Sequence, residues 1–211
     1  MPDTAPEKPA GPPRLLLGAV LAAGMLVLAA GVLLFYALED RPQGAAGSAL
    51  ASMIGGKFTL VDQNGKTFTD ANMKGKWELV FFGYTHCPDV CPTTMNELSL
   101  AFEKLGAKAR DRIGVVFISV DPERDTPQVL KEYVSSFSAP ITALTGTSAQ
   151  VAEAAKDYRV FYAKHPTKDG GYDMDHSALI YVMDPEGRFT ATFAPDDPAD
   201  KIAERLRKLL S

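Results

Sequence analysis

Two cysteines stand four residues apart in His86-Cys87-Pro88-Asp89-Val90-Cys91-Pro92, and the chain has no others. A disulfide across so short a loop removes little entropy from the unfolded chain, whereas structural disulfides stabilise mainly by closing long loops. The pair is therefore better suited to chemistry than to bracing. Both residues flank prolines where an apolar run gives way to a helical pattern. Cys87 is thus expected at a helix amino end, where unpaired amides and the helix dipole favour thiolate. On a helix, positions four apart share a face, which lets two sulfurs converge on one metal ion or, with adjustment, on each other. Two inert buried thiols are the alternative, and presentation at a strand-to-helix turn argues against it. Two thiolates leave the coordination of most protein-bound metals unfinished, so His86, His165 or His176 is needed to complete a site.

Which histidine qualifies depends on the elements that position it. Residues 57–60 and 66–69 flank Asn64-Gly65, whose tolerance of positive φ is a strong hairpin signal. Residues 77–84 form the continuous apolar run of a strand buried on both faces, and residues 92–105 then place apolar side chains at helical spacing up to Gly106. Residues 113–120 read as a second buried strand, and Asp125-Thr126-Pro127 supplies a polar cap and a first-turn proline for a helix reaching about residue 137. A strand at 141–144, a helix at 148–158, a hairpin of 178–183 with 188–193 and a helix at 198–210 complete the pattern. Parallel strands joined through helices, then a terminal hairpin and helix, predict an α/β, thioredoxin-like fold: a mixed sheet flanked by helices, with a small amino-terminal β-hairpin. In such a sheet the segment entering the strand at 178–183 faces the cysteine turn, and that selects His176. Thioredoxins usually carry a cis-proline there; Asp175-His176-Ser177 has none, which leaves room for a ligand.

A site made of Cys87, Cys91 and His176 is soft and three-coordinate. It suits Cu(I), which thiolates select and which tolerates low coordination, whereas structural zinc normally wants a fourth protein ligand. Zinc stays open if water or a carboxylate joins. Met95 and Met174 are expected as gap-filling core before they are expected as thioether ligands. Asp173 and Asp175 are expected to orient His176, with solvated loop acids as the alternative. His86 ends a strand and is expected to tune the neighbouring thiol, and His165, in a loop before Pro166, is expected to be solvated.

The 211 residues carry 22 Lys+Arg against 26 Asp+Glu, a formal charge of -4, so nothing offers the basic field that a nucleic acid requires. Residues 1–14 are proline-rich and are expected to form a disordered tail. Residues 15–38 lack any charged side chain, and a helix of that length covers about 36 Å against roughly 30 Å of hydrocarbon. That is longer than a signal-peptide core, so a transmembrane anchor is expected. Lys8 and Arg14 precede it while Glu39 and Asp40 follow, which favours an inside amino end. Asp3 and Glu7 argue against a mitochondrial presequence, leaving a single-pass anchor in a bacterial inner membrane with the rest in the periplasm. Residues 39–54, rich in Gly, Ala and Ser, read as a flexible linker, and 55–211 as one domain.

The run Phe82-Gly83-Tyr84-Thr85-His86-Cys87-Pro88-Asp89-Val90-Cys91-Pro92-Thr93-Thr94 closely resembles the Sco/SenC family, as do Ile118-Ser119-Val120-Asp121-Pro122-Glu123-Arg124-Asp125-Thr126-Pro127 and Asp175-His176-Ser177. Order and spacing agree from about Gly55 to the carboxyl end. The resemblance implies a thioredoxin-fold copper chaperone that helps load the binuclear copper A centre of cytochrome c oxidase subunit II. It makes Cys87, Cys91 and His176 the copper ligands, with copper held as Cu(I) or Cu(II) and a cysteine pair able to form a disulfide. Other periplasmic copper chaperones and thiol reductants are further expected partners. The second run reads physically as a strand end and a helix cap, so it is assigned structure before function. The rival reading is a thiol-disulfide oxidoreductase in which Cys87 attacks and Cys91 resolves; the Cys-x-x-x-Cys spacing and the idle His176 count against it. A peroxidase is weaker still.

Overall fold

Asn64-Gly65 turns the chain as its backbone tolerance allows: Gly65 sits at φ +78° and donates its amide to the Asp62 carbonyl at 2.9 Å. This closes β1 (Thr59–Asp62) antiparallel onto β2 (Thr67–Thr69). A computed structural model describes residues 54–107 and 111–210, together with Gly24, Met25, Leu28, Gly31 and Val32. The chain divides into two units, Met1–Ala46 and Gly47–Ser211. In the first, the five described residues are helical, and Met25, Leu28 and Val32 are exposed. The tail expected at 1–14, the rest of the anchor expected at 15–38 and all but Ile54 of the linker expected at 39–54 lie outside the described residues. Among the described residues, no helix is long and apolar enough to cross a membrane.

In the second unit a 3-10 turn (Asp70–Met73) leads to β3 (Trp77–Gly83), followed by α1 (Val90–Leu105) and β4 (Ile113–Ser119). Leu79, Val80, Phe81 and Phe82 of β3 are fully buried, as a run apolar on both faces requires. Each such side chain contributes about 1.5–3 kcal/mol by leaving water. Helix α1 stops at Gly106, whose φ of +81° is one that residues with a side chain rarely adopt. Helix α2 (Pro127–Val134) starts as the sequence indicates, with the Thr126 hydroxyl accepting from the Val129 amide. It ends earlier than expected. Amides of Ser136 and Phe137 bond three residues back instead of four, and the Ser135 hydroxyl donates to the Glu132 carbonyl, so the serine pair terminates the helix before Phe137. Strand β5 (Ile141–Thr145) and helix α3 (Ser148–Asp157) follow.

The largest departure comes next. Residues expected as loop form a two-stranded hairpin, β6 (Tyr162–Pro166) against β7 (Tyr172–His176), before β8 (Ile180–Met183), β9 (Phe189–Phe193) and α4 (Ala199–Leu210). Its strands are short and mostly polar, and residues 167–171 turn through Gly170 at φ +85°. With so little apolar surface it carries no strong strand signal, although Tyr172-Asp173-Met174-Asp175-His176 does alternate, with Met174 buried and both acids exposed.

The main sheet runs β2-β1-β5-β4-β3-β8-β9, with β3, β4 and β5 parallel and β1, β8 and β9 antiparallel to their neighbours. Helix α1 packs against α4, and α2 against β5, giving the mixed, helix-flanked thioredoxin-like sheet. Because β8 runs antiparallel to β3, with Phe81 opposite Ile180, the chain entering β8 lies beside the chain leaving β3. That register brings residues 176–179 to the cysteine turn.

Candidate metal centre

Helix α1 begins at Val90, so Cys87 precedes it and Cys91 is its second residue. The sulfurs therefore do not converge by sharing a helix face, as the sequence suggested. The turn itself brings them together: the Cys87 amide donates to the Tyr84 carbonyl at 3.3 Å, and the Cys91 amide donates to Cys87 Sγ at 3.4 Å. Asp89 stands at the cap position but its side chain makes no capping bond. Cys87 Sγ thus takes the place of a cap and meets the donor end of the helix.

Cys91 is fully buried and Cys87 half-buried. Gly83, the last residue of β3, is what lets Cys91 in: a Cβ at that position would lie 2.8 Å from Cys91 Sγ and 2.8 Å from the Phe81 ring. His176 ends β7 with its Nε2 3.5 Å from Cys91 Sγ. Its ring stands edge-on to Phe81 and Tyr84, with centroids 6.0 and 5.8 Å away. Nδ1 lies 3.1 Å from the Ser177 carbonyl, which can only accept. The proton is therefore assigned to Nδ1, and Nε2 turns its lone pair toward the sulfurs, the tautomer a metal ligand needs.

The two thiols share one proton unequally. The Cys87 thiol is lowered to about 3, chiefly because the Cys91 thiol donates to its sulfur, with help from the amides of Cys91 and Asp89 and against the effect of burial. Cys91 is pushed up by the same hydrogen bond and by its own burial. The shifts place the charge on Cys87 and the proton on Cys91. Donor atoms of Cys87, Cys91 and His176 all lie within 4.8 Å of one another, close enough to meet on a single ion.

Other expected participants fall elsewhere. His86 is exposed, with Nδ1 3.1 Å from the Thr85 hydroxyl and 4.0 Å from Asp125, so it touches the turn's support and not the sulfurs. Met95 and Met174 are buried in the hydrophobic core, as gap-filling residues would be. Asp173 and Asp175 do not orient His176: Asp175 meets His165 Nε2 at 2.8 Å, and Asp173 is exposed opposite His165 in the hairpin. Alternation along β7 explains the correction, since neighbours of His176 in sequence point to the other face. His165 is exposed, but in strand β6 and paired.

Sequence reasoning missed the support beneath the turn. Buried Asp125 accepts from the Thr85 amide at 3.1 Å, the Thr85 hydroxyl at 2.6 Å and the Ser119 hydroxyl at 2.6 Å. Thr85 is forty residues away, so a local reading registers only the adjacent helix cap.

The architecture is that of a thioredoxin-like domain whose Cys-x-x-x-Cys turn meets an imidazole from a separate hairpin. A family model described as SCO1/SenC matches residues 46–211, and the chain belongs to that family. It is 39% identical over 161 residues to "Protein SCO1 homolog 1, mitochondrial" of Arabidopsis thaliana, covering 76% of this chain and 48% of the relative. It is 40% identical over 176 residues to "Protein SCO2, mitochondrial" of Saccharomyces cerevisiae, covering 81% of this chain and 58% of the relative. The chain thus spans about half the length of these curated relatives. The solved structure of Bradyrhizobium japonicum ScoI with copper bound is 51% identical, with a TM-score of 0.69 over 74% of this chain and 98% of that one.

Proposed function

We propose that this protein is a membrane-anchored copper metallochaperone that holds its cargo on Cys87, Cys91 and His176 and delivers it to the binuclear copper A centre of cytochrome c oxidase subunit II. The observation that carries this is the convergence of two sulfurs and a lone-pair-bearing imidazole nitrogen within 4.8 Å. Two soft thiolates and one imidazole fit Cu(I) better than a hard cation. The fit also draws on the copper-bound relative at 51% identity. Transfer needs no bond-making catalyst. Cys87 is half-buried and open to an incoming ligand, while Cys91 sits deeper and is replaced later. The acceptor follows from the family resemblance, and the anchor at residues 15–38 with a periplasmic domain from the uncharged apolar run and its flanking charges.

Competition titration of the purified, reduced full chain with Cu(I) and a chromogenic chelator tests the site. His176→Ala and Cys87→Ser should each weaken binding. X-ray absorption should give sulfur and nitrogen neighbours in a two-to-one ratio. Unchanged affinity in both variants overturns the proposal.

A second reading draws on the shared proton. Cys87 thiolate attacks a disulfide in the acceptor and expels one acceptor thiolate; Cys91 then attacks Cys87, releasing the second acceptor thiol and leaving the Cys87–Cys91 pair oxidised. Reduction of the acceptor's own cysteines would then precede loading by another copy. A measured reduction potential and the stoichiometry of acceptor thiols released test it.

A further inference from the structure

The hairpin that carries His176 shares no backbone ladder with the seven-stranded sheet, so beyond its short link to β8 it is side chains that orient the imidazole. We infer that Asp121 and Arg124, in the loop between β4 and α2, are positioning residues that clasp Tyr172 and thereby place His176 against the sulfur pair. The inference rests on the reading of Cys87, Cys91 and His176 as a metal site.

The Tyr172 hydroxyl donates to Asp121 Oδ1 at 2.8 Å. Arg124 donates through Nη1 to the Tyr172 carbonyl at 2.9 Å and through Nε to Asp121 Oδ2. Its guanidinium lies 3.8 Å from the centre of the Tyr172 ring, and the Lys164 ammonium lies 3.8 Å from the same centre. A planar, five-donor cation can hold a carboxylate, a carbonyl and an aromatic face together; an ammonium cannot. Asp121 is 2% exposed and fixed in turn by its amide's bond to the Ser119 hydroxyl at 3.0 Å. Lys164 adds an exposed ion pair to Glu123 at 2.6 Å, which contributes little by itself.

Tyr172 and His176 occupy the two ends of β7 and, four residues apart, face the same side. Holding one end of a short strand therefore orients the other. The Arg124 guanidinium also lies 5.8 Å from the Tyr84 ring, which stands edge-on to the His176 ring. The same loop supplies Asp125, which grips Thr85 just ahead of Cys87. One seven-residue stretch, Asp121-Pro122-Glu123-Arg124-Asp125-Thr126-Pro127, thus references both halves of the site, the sulfur turn through Asp125 and the imidazole hairpin through Asp121 and Arg124. Its helix-capping duty belongs to Thr126 alone and leaves these three charged side chains unexplained.

The test uses Tyr172→Phe, which removes only the hydroxyl, and Asp121→Asn, each alone and combined with His176→Ala in the full chain. Thermal unfolding followed by circular dichroism verifies that each folds. Outer partners of metal-bound histidines typically affect affinity about ten- to a hundredfold, and a loss in that range is expected for Cu(I) in the single variants. In the His176→Ala background the same substitutions should cost nothing further, because the clasp acts through that ring. An equal loss with and without His176, or no loss at all, overturns the inference. A metal-free readout keeps it separate from the copper assignment: nuclear Overhauser contacts from the His176 ring to the Phe81 and Tyr84 rings should weaken in both variants. Persistence of those contacts at full strength overturns the clasp. Failure of the unmodified protein to bind Cu(I), with the contacts behaving as expected, overturns the metal reading and leaves the clasp standing.

Discussion

His176 Nε2 and Cys91 Sγ lie 3.5 Å apart although eighty-five residues separate them in the chain. Antiparallel pairing of β8 with β3 brings the chain that carries His176 beside the chain that leads to Cys87 and Cys91.

Cys87 is expected to react as a thiolate well into acid. Its thiol is held near 3 by the Cys91 hydrogen bond, so the charged form persists above that pH and disappears only below it. Iodoacetamide alkylation of the metal-free reduced protein should label Cys87 at a rate nearly flat from about pH 8 to about pH 5, with Cys91 almost untouched. Cys91→Ala removes the main donor but keeps the backbone amides, and should move the pH dependence of labelling upward toward that of an ordinary thiol. Rates that fall about tenfold per pH unit in the unmodified protein would contradict this.

Copper affinity should weaken in acid. The reduced pair retains the Cys91 proton, pushed up by burial and by its bond to Cys87, and that proton must leave when both sulfurs bind the ion. One proton displaced predicts about a tenfold fall in apparent affinity per pH unit. Chelator competition at pH 6, 7 and 8 measures the slope.

Gly83→Ala should damage the site and the core together. The new methyl would meet Cys91 Sγ and the Phe81 ring at 2.8 Å, and neither can retreat within a fully buried cluster. A destabilisation of about 1–3 kcal/mol is expected for such overpacking. Urea unfolding gives that figure, and a shifted Cu(I) affinity in the folded fraction reports the displaced sulfur.

Glu78 should make stability depend on pH at a distance from the metal site. Burial raises its carboxyl to about 7 from 4.5 even though Lys76 stands 3.2 Å away. The folded state therefore holds this proton between those values while the unfolded chain gives it up. Stability is fullest below about 4.5 and falls as pH rises toward 7. Glu78→Gln should flatten that slope and stabilise the protein above pH 7 by up to roughly 3 kcal/mol, the free energy of moving a proton's affinity between those two values. Denaturant midpoints at pH 5 and pH 8 decide it. Gly114, directly across on β4, must stay small because a Cβ there would overlap the Glu78 carboxylate.

The buried strands β3 and β4, the Asn64-Gly65 turn and the Thr126-Pro127 helix start were legible because each is written in adjacent residues: apolar runs, a positive-φ pair, a cap followed by proline. The cysteine turn and His176 were legible for a different reason, since their residue types leave few structural duties. The β6–β7 hairpin was not legible, because its strands bury little and derive their order from distant partners such as Asp121. Asp173 and Asp175 were misplaced for the same cause. Without knowing that residues 172–176 were extended, proximity in sequence stood in for proximity in space, and alternation reversed it.

The β6–β7 ribbon is held by edge-on ring contacts, polar ties and the packing of Met174, and not by the main ladder, so withdrawing it breaks no backbone pairing within the seven-stranded sheet. Segments that share no ladder with the main sheet open locally at a lower cost than melting the domain. The cradle formed by Cys87, Cys91 and His176 thus has one wall, His176, that can move without breaking the ladder that carries its floor.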